Sequence, residues 1–409
     1  MVPEAVRVPV LRIHHRESGD GPLVELDWAG AHVVVPFLPT LDRFDLEDLR
    51  WYHENYRESW AAASEDGVKR IRRVQRKIGE ALHAALFAGE AASLAAEVRS
   101  AGDGLRVEIR DDVYDAAIPW ELLADPEVEE PLVVRADAFV RTVGDVAEES
   151  ADRAHRRVLL LISRPAGRGD IGYWAVAYEL WRTLGAMPRV KVDVLRPPTF
   201  DALGERLRTA AAEGKPYAAV HFDGHGVILN PFGASRATGY LVFETPGQTG
   251  PDFVDGAMLG GLLAETGVLL LSMNACRSAD SAGGDRHLLA EPAHTPGQPS
   301  ITDEVLAAGV PACVGMGREV YPGTPSRFFA SFYTAFLGGD SPGEAARTAR
   351  RRLHAEPLST GIYREDSPPI DDWCIPVVGE RVVVRLAPPP PGDSEAAADP
   401  LADIFPERL

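Results

Sequence analysis

The central part of the chain alternates between short apolar runs and stretches with helical spacing of apolar residues. Strands are predicted at 157–163, 191–196, 217–222, 267–273 and 310–316, most of them as largely apolar runs. Helices are predicted between and after these runs, at 173–186, 199–213, 301–308, 326–337 and 342–354. Strands that are apolar on both faces are typical of a parallel sheet covered by helices on both sides. The pattern therefore predicts a doubly wound α/β unit with a mostly parallel sheet flanked by helices.

The N-terminal part of the chain has a different pattern. Residues 22–36 alternate and break in the way a hairpin of strands does, and helices are predicted at 45–60 and 67–89. In the second helix, apolar residues at three- and four-residue steps form one face for core packing: Val68, Ile71, Val74, Ile78, Leu82 and Leu86. With a further strand at 104–112, the pattern predicts an N-terminal α+β region over residues 1–150.

Two changes in composition predict the limits of the α/β unit. A stretch rich in Ser, Glu and Asp at 143–156 marks its start, so that the unit covers residues 151–386. Residues 387–409 are first rich in Pro and then acidic, which predicts a largely disordered tail.

The overall composition excludes several classes of protein. The chain has 409 residues, of which 61 are acidic and 42 basic, and its net charge of −19 argues against nucleic-acid binding. The first residues lack a signal-peptide pattern, and no apolar run is long enough to cross a membrane. Three cysteines do not make a disulfide framework. We therefore expect a cytoplasmic protein, and its preference for Arg and Ala indicates a bacterial source with a GC-rich genome.

Two of the predicted strands end in residues that can carry chemistry. The strand at 217–222 runs into "DGHG", which contains His225, and the strand at 267–273 runs into "NACRSAD", which contains Cys276. Ligands of open α/β sheets bind at the carboxyl ends of strands, so both residues are expected at one rim. An imidazole that removes the thiol proton creates a nucleophile for a carbonyl carbon. The backbone N–H groups of Gly226 and Cys276 are candidates for the oxyanion hole.

Other sites are less well supported by the sequence. His221 and His225 are four residues apart, but the helix and the Glu of a zinc-binding H-E-x-x-H motif are missing, so we predict no metal and a structural role for His221. Cys313 and Cys374 follow the pattern of small core residues. A nucleotide-binding module is a weaker alternative, because residues 163–170 contain no complete glycine-rich phosphate motif. No cofactor is predicted.

The two motifs together resemble those of the CHAT domain family, caspase-like cysteine peptidases related to separase and the metacaspases. "NACRS" is similar to the caspase signature, whose His lies about 50 residues upstream of the Cys. Further segments resemble the family: 118–123 ("IPWELL"), 132–135 ("LVVR"), 306–316, 328–353 and 371–378. The resemblance covers about residues 100–380.

The resemblance implies a specific mechanism and state. It implies a dyad of His225 and Cys276, the amides of Gly226 and Cys276 as the oxyanion hole, and no need for a third catalytic residue. It also implies protein or peptide substrates, with latency until an activating partner is present. The alternative is a pseudo-protease that binds peptides or partners without cutting them. For either function, the N-terminal region is a degenerate caspase-like unit or a regulatory unit.

The substrate pocket is predicted from two segments. Asn274 stands where metacaspases have an Asp that holds a basic side chain. Relatives also use the segment after the following strand, here 317–323, where Glu319 would favour Arg or Lys and Arg318 would favour Asp. Neighbouring side chains of an extended segment alternate, so only one of these two points into the pocket. We predict cleavage after Arg or Lys, with Glu319 and with Asp223 as a second acid.

The loop 277–300 corresponds to a segment that relatives often cleave during maturation. It is rich in Gly, Ala, Ser and Pro. The hypothesis is autoprocessing after Arg286 or Arg277, and the alternative is a flexible surface loop.

Overall fold

The computed structural model describes several segments of the chain. They are residues 8–55, 65–114, 118–151, 156–165, 177–187, 189–230, 238–247, 250–275, 299–318, 323–357 and 371–387. The predicted tail 387–409 lies, apart from its first residue, outside the described residues.

The N-terminal part consists of strands with a group of helices between them. Its elements are β1 (Val10–Ser18), β2 (Gly21–Trp28), β3 (Ala31–Pro36), α1 (Arg43–Asn55), α2 (Glu65–Leu86), α3 (Ala92–Ala101), β4 (Arg106–Asp111), α4 (Leu132–Arg135), β5 (Ala138–Thr142) and β6 (Ala147–Ala151). The predicted hairpin corresponds to β2 and β3, and the two predicted helices correspond to α1 and α2. The strand β1 was not predicted, because its buried face consists of Leu11, Ile13 and His15 and so has only two apolar residues.

The following part alternates strands and helices as predicted. Its elements are β7 (Arg156–Ile162), α5 (Ala177–Gly185), β8 (Val190–Leu195), α6 (Phe200–Ala212), β9 (Ala219–Asp223), β10 (His225–Leu229), β11 (Thr238–Glu244), β12 (Pro251–Asp255), α7 (Gly256–Glu265), β13 (Leu270–Asn274), α8 (Ile301–Ala307), β14 (Ala312–Met316), α9 (Gly323–Gly338), α10 (Pro342–Ala355), β15 (Pro376–Glu380) and β16 (Val382–Leu386). Helices α8 and α10 each begin with a capping box, at Ser300 and Ser341.

A single large sheet runs through the described part of the chain. Its strand order is β3-β2-β1-β4-β5-β15-β14-β13-β9-β7-β8. The pairs are parallel except at β1–β2, β2–β3 and β14–β15. The predicted fold class, a mostly parallel sheet flanked by helices, is confirmed. The sheet also contains the N-terminal strands, which join it where β5 pairs with β15. The predicted division near residue 150 falls between β6 and β7 and stays a prediction.

Two smaller sheets accompany the large one. Strands β10, β11 and β12 form an antiparallel three-stranded sheet in the order in which they occur along the chain, and β6 pairs with β16. The three-stranded sheet was not predicted, since its strands are short and β10 is half-buried along its whole length.

The large sheet separates two hydrophobic cores. On β9, Ala219 belongs to the core that contains helix α9, whereas Val220 and Phe222 belong to the core that contains α6, α7 and α8. Successive residues of a strand point to opposite faces, so His221 and Asp223 lie on the α9 side. Both faces are covered by helices, which explains why the central strands are largely apolar on both sides.

Candidate active site

Two neighbouring strands bring the two predicted catalytic segments to one rim of the sheet. Strands β9 and β13 are parallel, and Asp223 at the end of β9 lies opposite Asn274 at the end of β13. His225 is two residues beyond Asp223 and begins β10. Ala275, which follows β13, is buried. Cys276 itself is outside the described residues, so its place and its distance from His225 stay predictions.

A glycine allows the chain to turn from the large sheet into the small one. The Gly224 N–H donates to the carbonyl oxygen of Asn274 at 3.1 Å. A Cβ atom at this position would lie 2.8 Å from the ring of Phe222 and 3.3 Å from the Cβ of Ser163. Only glycine fits this close approach without displacing its neighbours. The glycine at position 224 therefore allows the chain to pass close to Phe222 and Ser163 just before β10 begins.

His225 and Gly226 lie in the first strand of the three-stranded sheet. His225 is opposite Val242 of β11, and Gly226 is opposite Leu241. Both residues are half-buried. The assignment of the Gly226 amide to an oxyanion hole stays a prediction.

Asp223 and Asn274 contact each other and an arginine that the sequence analysis did not single out. The Asn274 side-chain amide donates to one carboxylate oxygen of Asp223 at 2.8 Å, and Arg164 donates to the other at 2.9 Å. Arg164 also donates to the Asp223 carbonyl oxygen at 2.7 Å. Burial raises the pKa of Asp223, whereas Arg164 and Asn274 lower it. A basic residue directly after the buried strand β7, at the same rim, was the signal that could have identified Arg164.

His221 is buried in the core below this network, as predicted for a structural residue. Its side chain is 1% exposed, and its ring contacts the edge of Phe329 at a centroid distance of 4.7 Å. The Tyr333 hydroxyl lies 3.5 Å from its Nδ1 atom. Burial lowers the pKa of His221 to about 3, so the imidazole is neutral at physiological pH.

The segment after β14 is only partly described. Arg318 is half-buried, and its charge lowers the pKa of His53 on α1 and that of Cys374. Glu319 lies outside the described residues, as do residues 276–298, which include most of the loop predicted to be autoprocessed.

A second pairing of Cys and His lies between α1 and the segment before β15, and both of its side chains are neutral at physiological pH. The Cys374 Sγ atom is 4.0 Å from the His53 Nε2 atom. Burial raises the pKa of the Cys374 thiol to about 12 and lowers that of His53 to about 3. Cys313 is fully buried in β14, and burial raises its thiol pKa as well. Neither thiol is a nucleophile at neutral pH, because the thiolate is the reactive form.

The described segments contain no group of three or more His, Cys, Asp or Glu side chains that could hold a metal ion. Within the same segments, no helix has both the length and the apolar character needed to span a membrane.

Comparison with known proteins identifies a family and a shared fold. The CHAT domain family model matches residues 76–376. Among solved structures, a chain of the separase–securin complex of Saccharomyces cerevisiae at 3.0 Å resolution aligns with a TM-score of 0.52 and 10% identity, covering 92% of this chain and 30% of that one. This protein thus spans under a third of the length of the separase-complex chain. At such low identity the likeness shows the fold alone.

Two further structures align less well. The same complex at 2.6 Å resolution gives a TM-score of 0.42 at 10% identity, with 92% and 30% of the two chains covered. A protein from Geobacter sulfurreducens gives 0.31 at 12% identity, with 60% and 98% covered. None of the curated proteins matches the sequence significantly. The family match extends over more than half of the sequence, and the chain therefore belongs to the CHAT domain family, a family of caspase-like peptidases.

Proposed function

We propose that this protein is a cysteine endopeptidase in which Cys276 is the nucleophile and His225 the general base. The observation that carries the proposal is the register of β9 and β13, which places Asp223 opposite Asn274. The imidazole and the thiol each follow two residues after these paired positions. Two chain segments that leave adjacent strands at the same level support a position of the two side chains at one rim of the sheet.

The reaction begins with transfer of the Cys276 thiol proton to the neutral imidazole of His225. The thiolate attacks the scissile carbonyl carbon, and the developing oxyanion accepts hydrogen bonds from the amides of Gly226 and Cys276. Collapse of the tetrahedral intermediate breaks the C–N bond, and the imidazolium gives its proton to the leaving amine. Water, deprotonated by His225, then hydrolyses the thioester and restores the thiol.

The chemistry of the other two cysteines supports the choice of nucleophile. Cys313 and Cys374 are both held in their thiol form by burial. Since the chain has three cysteines, a cysteine nucleophile in this protein is Cys276.

For specificity, we extend the proposal to cleavage after Arg or Lys, with Glu319 as the recognition residue. The charge of Glu319 supports this choice, because a carboxylate in a pocket discriminates strongly in favour of a cationic side chain. Both carboxylate oxygens of Asp223 already accept hydrogen bonds from Asn274 and Arg164. We therefore assign Asp223 and Asn274 to the support of the site rather than to direct substrate contact.

The test is cleavage of a mixed peptide library by the full chain, with Cys276→Ala, His225→Ala, Glu319→Gln and Arg318→Gln as variants. We expect cuts after Arg or Lys that disappear in the first two variants and weaken strongly in Glu319→Gln. Cuts after Asp that depend on Arg318 would refute the proposed specificity but would still support a peptidase.

A latent enzyme requires a second measurement, because a peptidase that awaits an activating partner does not cut the library. A peptide with a thiol-reactive group at its C-terminal end labels Cys276 if the dyad is formed. Absence of both cleavage and labelling would contradict the peptidase and favour the peptide- or partner-binding pseudo-protease.

A further inference from the structure

The two halves of the proposed dyad are attached to different sheets. His225 begins β10 in the three-stranded sheet, whereas Cys276 follows β13 of the large sheet. Backbone hydrogen bonds within either sheet do not fix the distance between the two residues. One backbone hydrogen bond, from the Gly224 N–H to the Asn274 carbonyl oxygen at 3.1 Å, joins the residue before His225 to β13. Beyond that bond, the geometry depends on the side-chain contacts at the ends of β7, β9 and β13 and on those that hold β11 against the large sheet.

Two residues that follow β7 provide such contacts to β11. The Ser163 hydroxyl donates to the carbonyl oxygen of Val242 at 2.7 Å, and Val242 is the residue opposite His225. The backbone N–H of Arg164 donates to the carboxylate of Glu244 at 2.9 Å. Ser163 is fully buried and Glu244 is 8% exposed, so water does not compete for these bonds.

The Arg164 side chain extends the connection to β9 and β13. Its guanidinium donates to the carbonyl oxygens of Ser163 and Asp223, at 2.8 and 2.7 Å, and to the Asp223 carboxylate. The other carboxylate oxygen of Asp223 accepts from Asn274, two residues before Cys276. The Arg164 side chain thus connects the ends of β7 and β9 and, through Asp223, the end of β13, while its backbone N–H contacts β11.

The network is a poor device for stability alone. The ion pair has side-chain exposures of 12% for Arg164 and 4% for Asp223. Removing two charges from water costs desolvation energy that offsets much of their mutual attraction. Replacement of a buried ion pair by apolar residues is therefore often neutral or stabilising. The forked guanidinium does fix geometry, because its donors point in set directions.

We propose that the Arg164 side chain makes it a positioning residue, which fixes Asp223 and, through Asp223, Asn274, the residues two positions before His225 and Cys276. The proposal rests on the function proposed above. It gives Arg164 no contact with substrate. Its loss changes the orientation of the imidazole toward the thiol, and a small misplacement of this kind lowers the rate of catalysis by roughly 10²-fold.

The experiment compares Arg164→Met with a matched control, Arg157→Met. Arg157 lies at the start of the same strand, is 11% exposed, and donates to the Asp193 carboxylate at 2.7 Å and to the Lys215 carbonyl oxygen at 2.8 Å. The two arginines are seven positions apart, which corresponds to roughly 20 Å of extended chain. The control therefore removes a similar buried ion pair at the end of the sheet away from the dyad.

The readout is the pH dependence of Cys276 alkylation by iodoacetamide in the full chain, followed by mass spectrometry of the modified peptide. A neighbouring imidazole lowers the thiol pKa below its ordinary value of about 8.5, and His225→Ala should restore that value. We expect Arg164→Met to move the profile toward that of His225→Ala, with a smaller shift in Arg164→Lys. Arg157→Met should keep the wild-type profile. In peptide cleavage, Arg164→Met should lower kcat far more than it raises KM.

The outcomes separate the two proposals. If His225→Ala has the wild-type profile, no dyad exists and both proposals are overturned. If His225→Ala shifts the profile and Arg164→Met does not, the dyad stands and the positioning role is wrong. Equal shifts in Arg164→Met and Arg157→Met would indicate general destabilisation and would also overturn the role. Thermal unfolding shows whether each variant is folded. If Arg164→Met does not fold, the alkylation profile of Arg164→Lys decides whether Arg164 has the positioning role.

Discussion

His53 on α1 and His221 on β9 are buried without a charge. Each is 2% exposed or less, and burial lowers the pKa of each to about 3. A histidine in an unfolded chain titrates near 6.5. Between these values the unfolded chain takes up protons that the folded protein does not. The contribution of these two residues to the free energy of unfolding is therefore complete above pH 6.5 and decreases progressively as the pH falls.

The pH dependence of unfolding tests this behaviour at His221. Each neutral histidine should lower the free energy of unfolding by about 1.4 kcal/mol per pH unit below pH 6. We expect His221→Gln to reduce the slope by about one proton, measured by urea unfolding at pH 6, 5 and 4. The control is His32→Gln at a position whose side chain is 55% exposed. An unchanged slope in His221→Gln would contradict the neutral buried state.

Asp372 has the opposite pH dependence. It is 2% exposed, accepts a hydrogen bond from the Thr324 hydroxyl, and burial raises its pKa to about 6. The folded protein therefore holds the acid protonated in a range where the unfolded chain has released the proton. The stability contributed by the protonated acid is complete below about pH 4 and is lost as the pH rises through 6.

Replacement of Asp372 by Asn should remove this loss. We expect Asp372→Asn to be more stable than the wild type at pH 7 by roughly 2 to 3 kcal/mol, because a two-unit difference in pKa corresponds to that energy. The advantage should vanish at pH 4. Chemical unfolding at both pH values measures it, and a less stable variant at pH 7 would show that the carboxylate is needed in its charged form.

At the scale of elements, helix α2 packs unusually closely on the segment 120–124. A Cβ atom on Gly79 would lie 2.0 Å from the carbonyl oxygen of Leu122 and 2.9 Å from the Cβ of Ala124. The Gly79 carbonyl oxygen accepts from the Ala124 N–H at 3.3 Å. The helix and the segment are therefore in backbone contact, which requires a residue without a side chain.

Two glycine replacements should have opposite signs. Alanine is the better helix former by up to about 1 kcal/mol, so Gly261→Ala in α7, where a Cβ meets nothing within 4 Å, should stabilise the protein. Gly79→Ala should destabilise it by about 3 kcal/mol or more, since backbone atoms must move. Urea unfolding of both variants measures the difference. Equal stabilities would contradict the close packing of α2.

The elements that could be predicted are those with one strong signal. The stripe from Val68 to Leu86 gave α2, and the runs at 157–163 and 310–316 gave β7 and β14, because full burial leaves an apolar pattern. Strands β1 and β10 were missed, because the buried face of β1 has only two apolar residues and β10 is half-buried along its whole length. The residues of the candidate site could be located from strand ends, but Arg164 could not be joined to Asp223, since neither motif contains it.

At the scale of the molecule, the N-terminal part is bound to the rest by buried polar contacts. Arg106 on β4 donates to Glu108 and to Glu380 of β15, each at 2.7 Å. Arg72 on α2 forms an ion pair with Asp371, and Gln75 donates to the Asp371 carbonyl oxygen at 3.2 Å. These contacts cross the predicted boundary near residue 150, as the large sheet does.

Removal of residues 1–150 should therefore destabilise the remainder. The fragment 151–386 would expose the edge of β15 and leave Glu380, which is fully buried, without Arg106. We expect the full chain to unfold in one transition and the fragment to aggregate or to unfold at lower urea concentration. A monomeric fragment as stable as the full chain would show that the boundary separates two independent domains.

The sequence alone determined the alternation of strands and helices, the class of sheet, and the two strand ends that carry His225 and Cys276. These follow from local patterns, because burial on both faces leaves apolar runs and a rim residue follows its strand directly. Only the tertiary structure decided which strands are neighbours, that β10 belongs to a second sheet, and that Arg164 connects the two. Such pairings depend on the packing of the whole chain, and partners distant in sequence leave no mark in the pattern around either one.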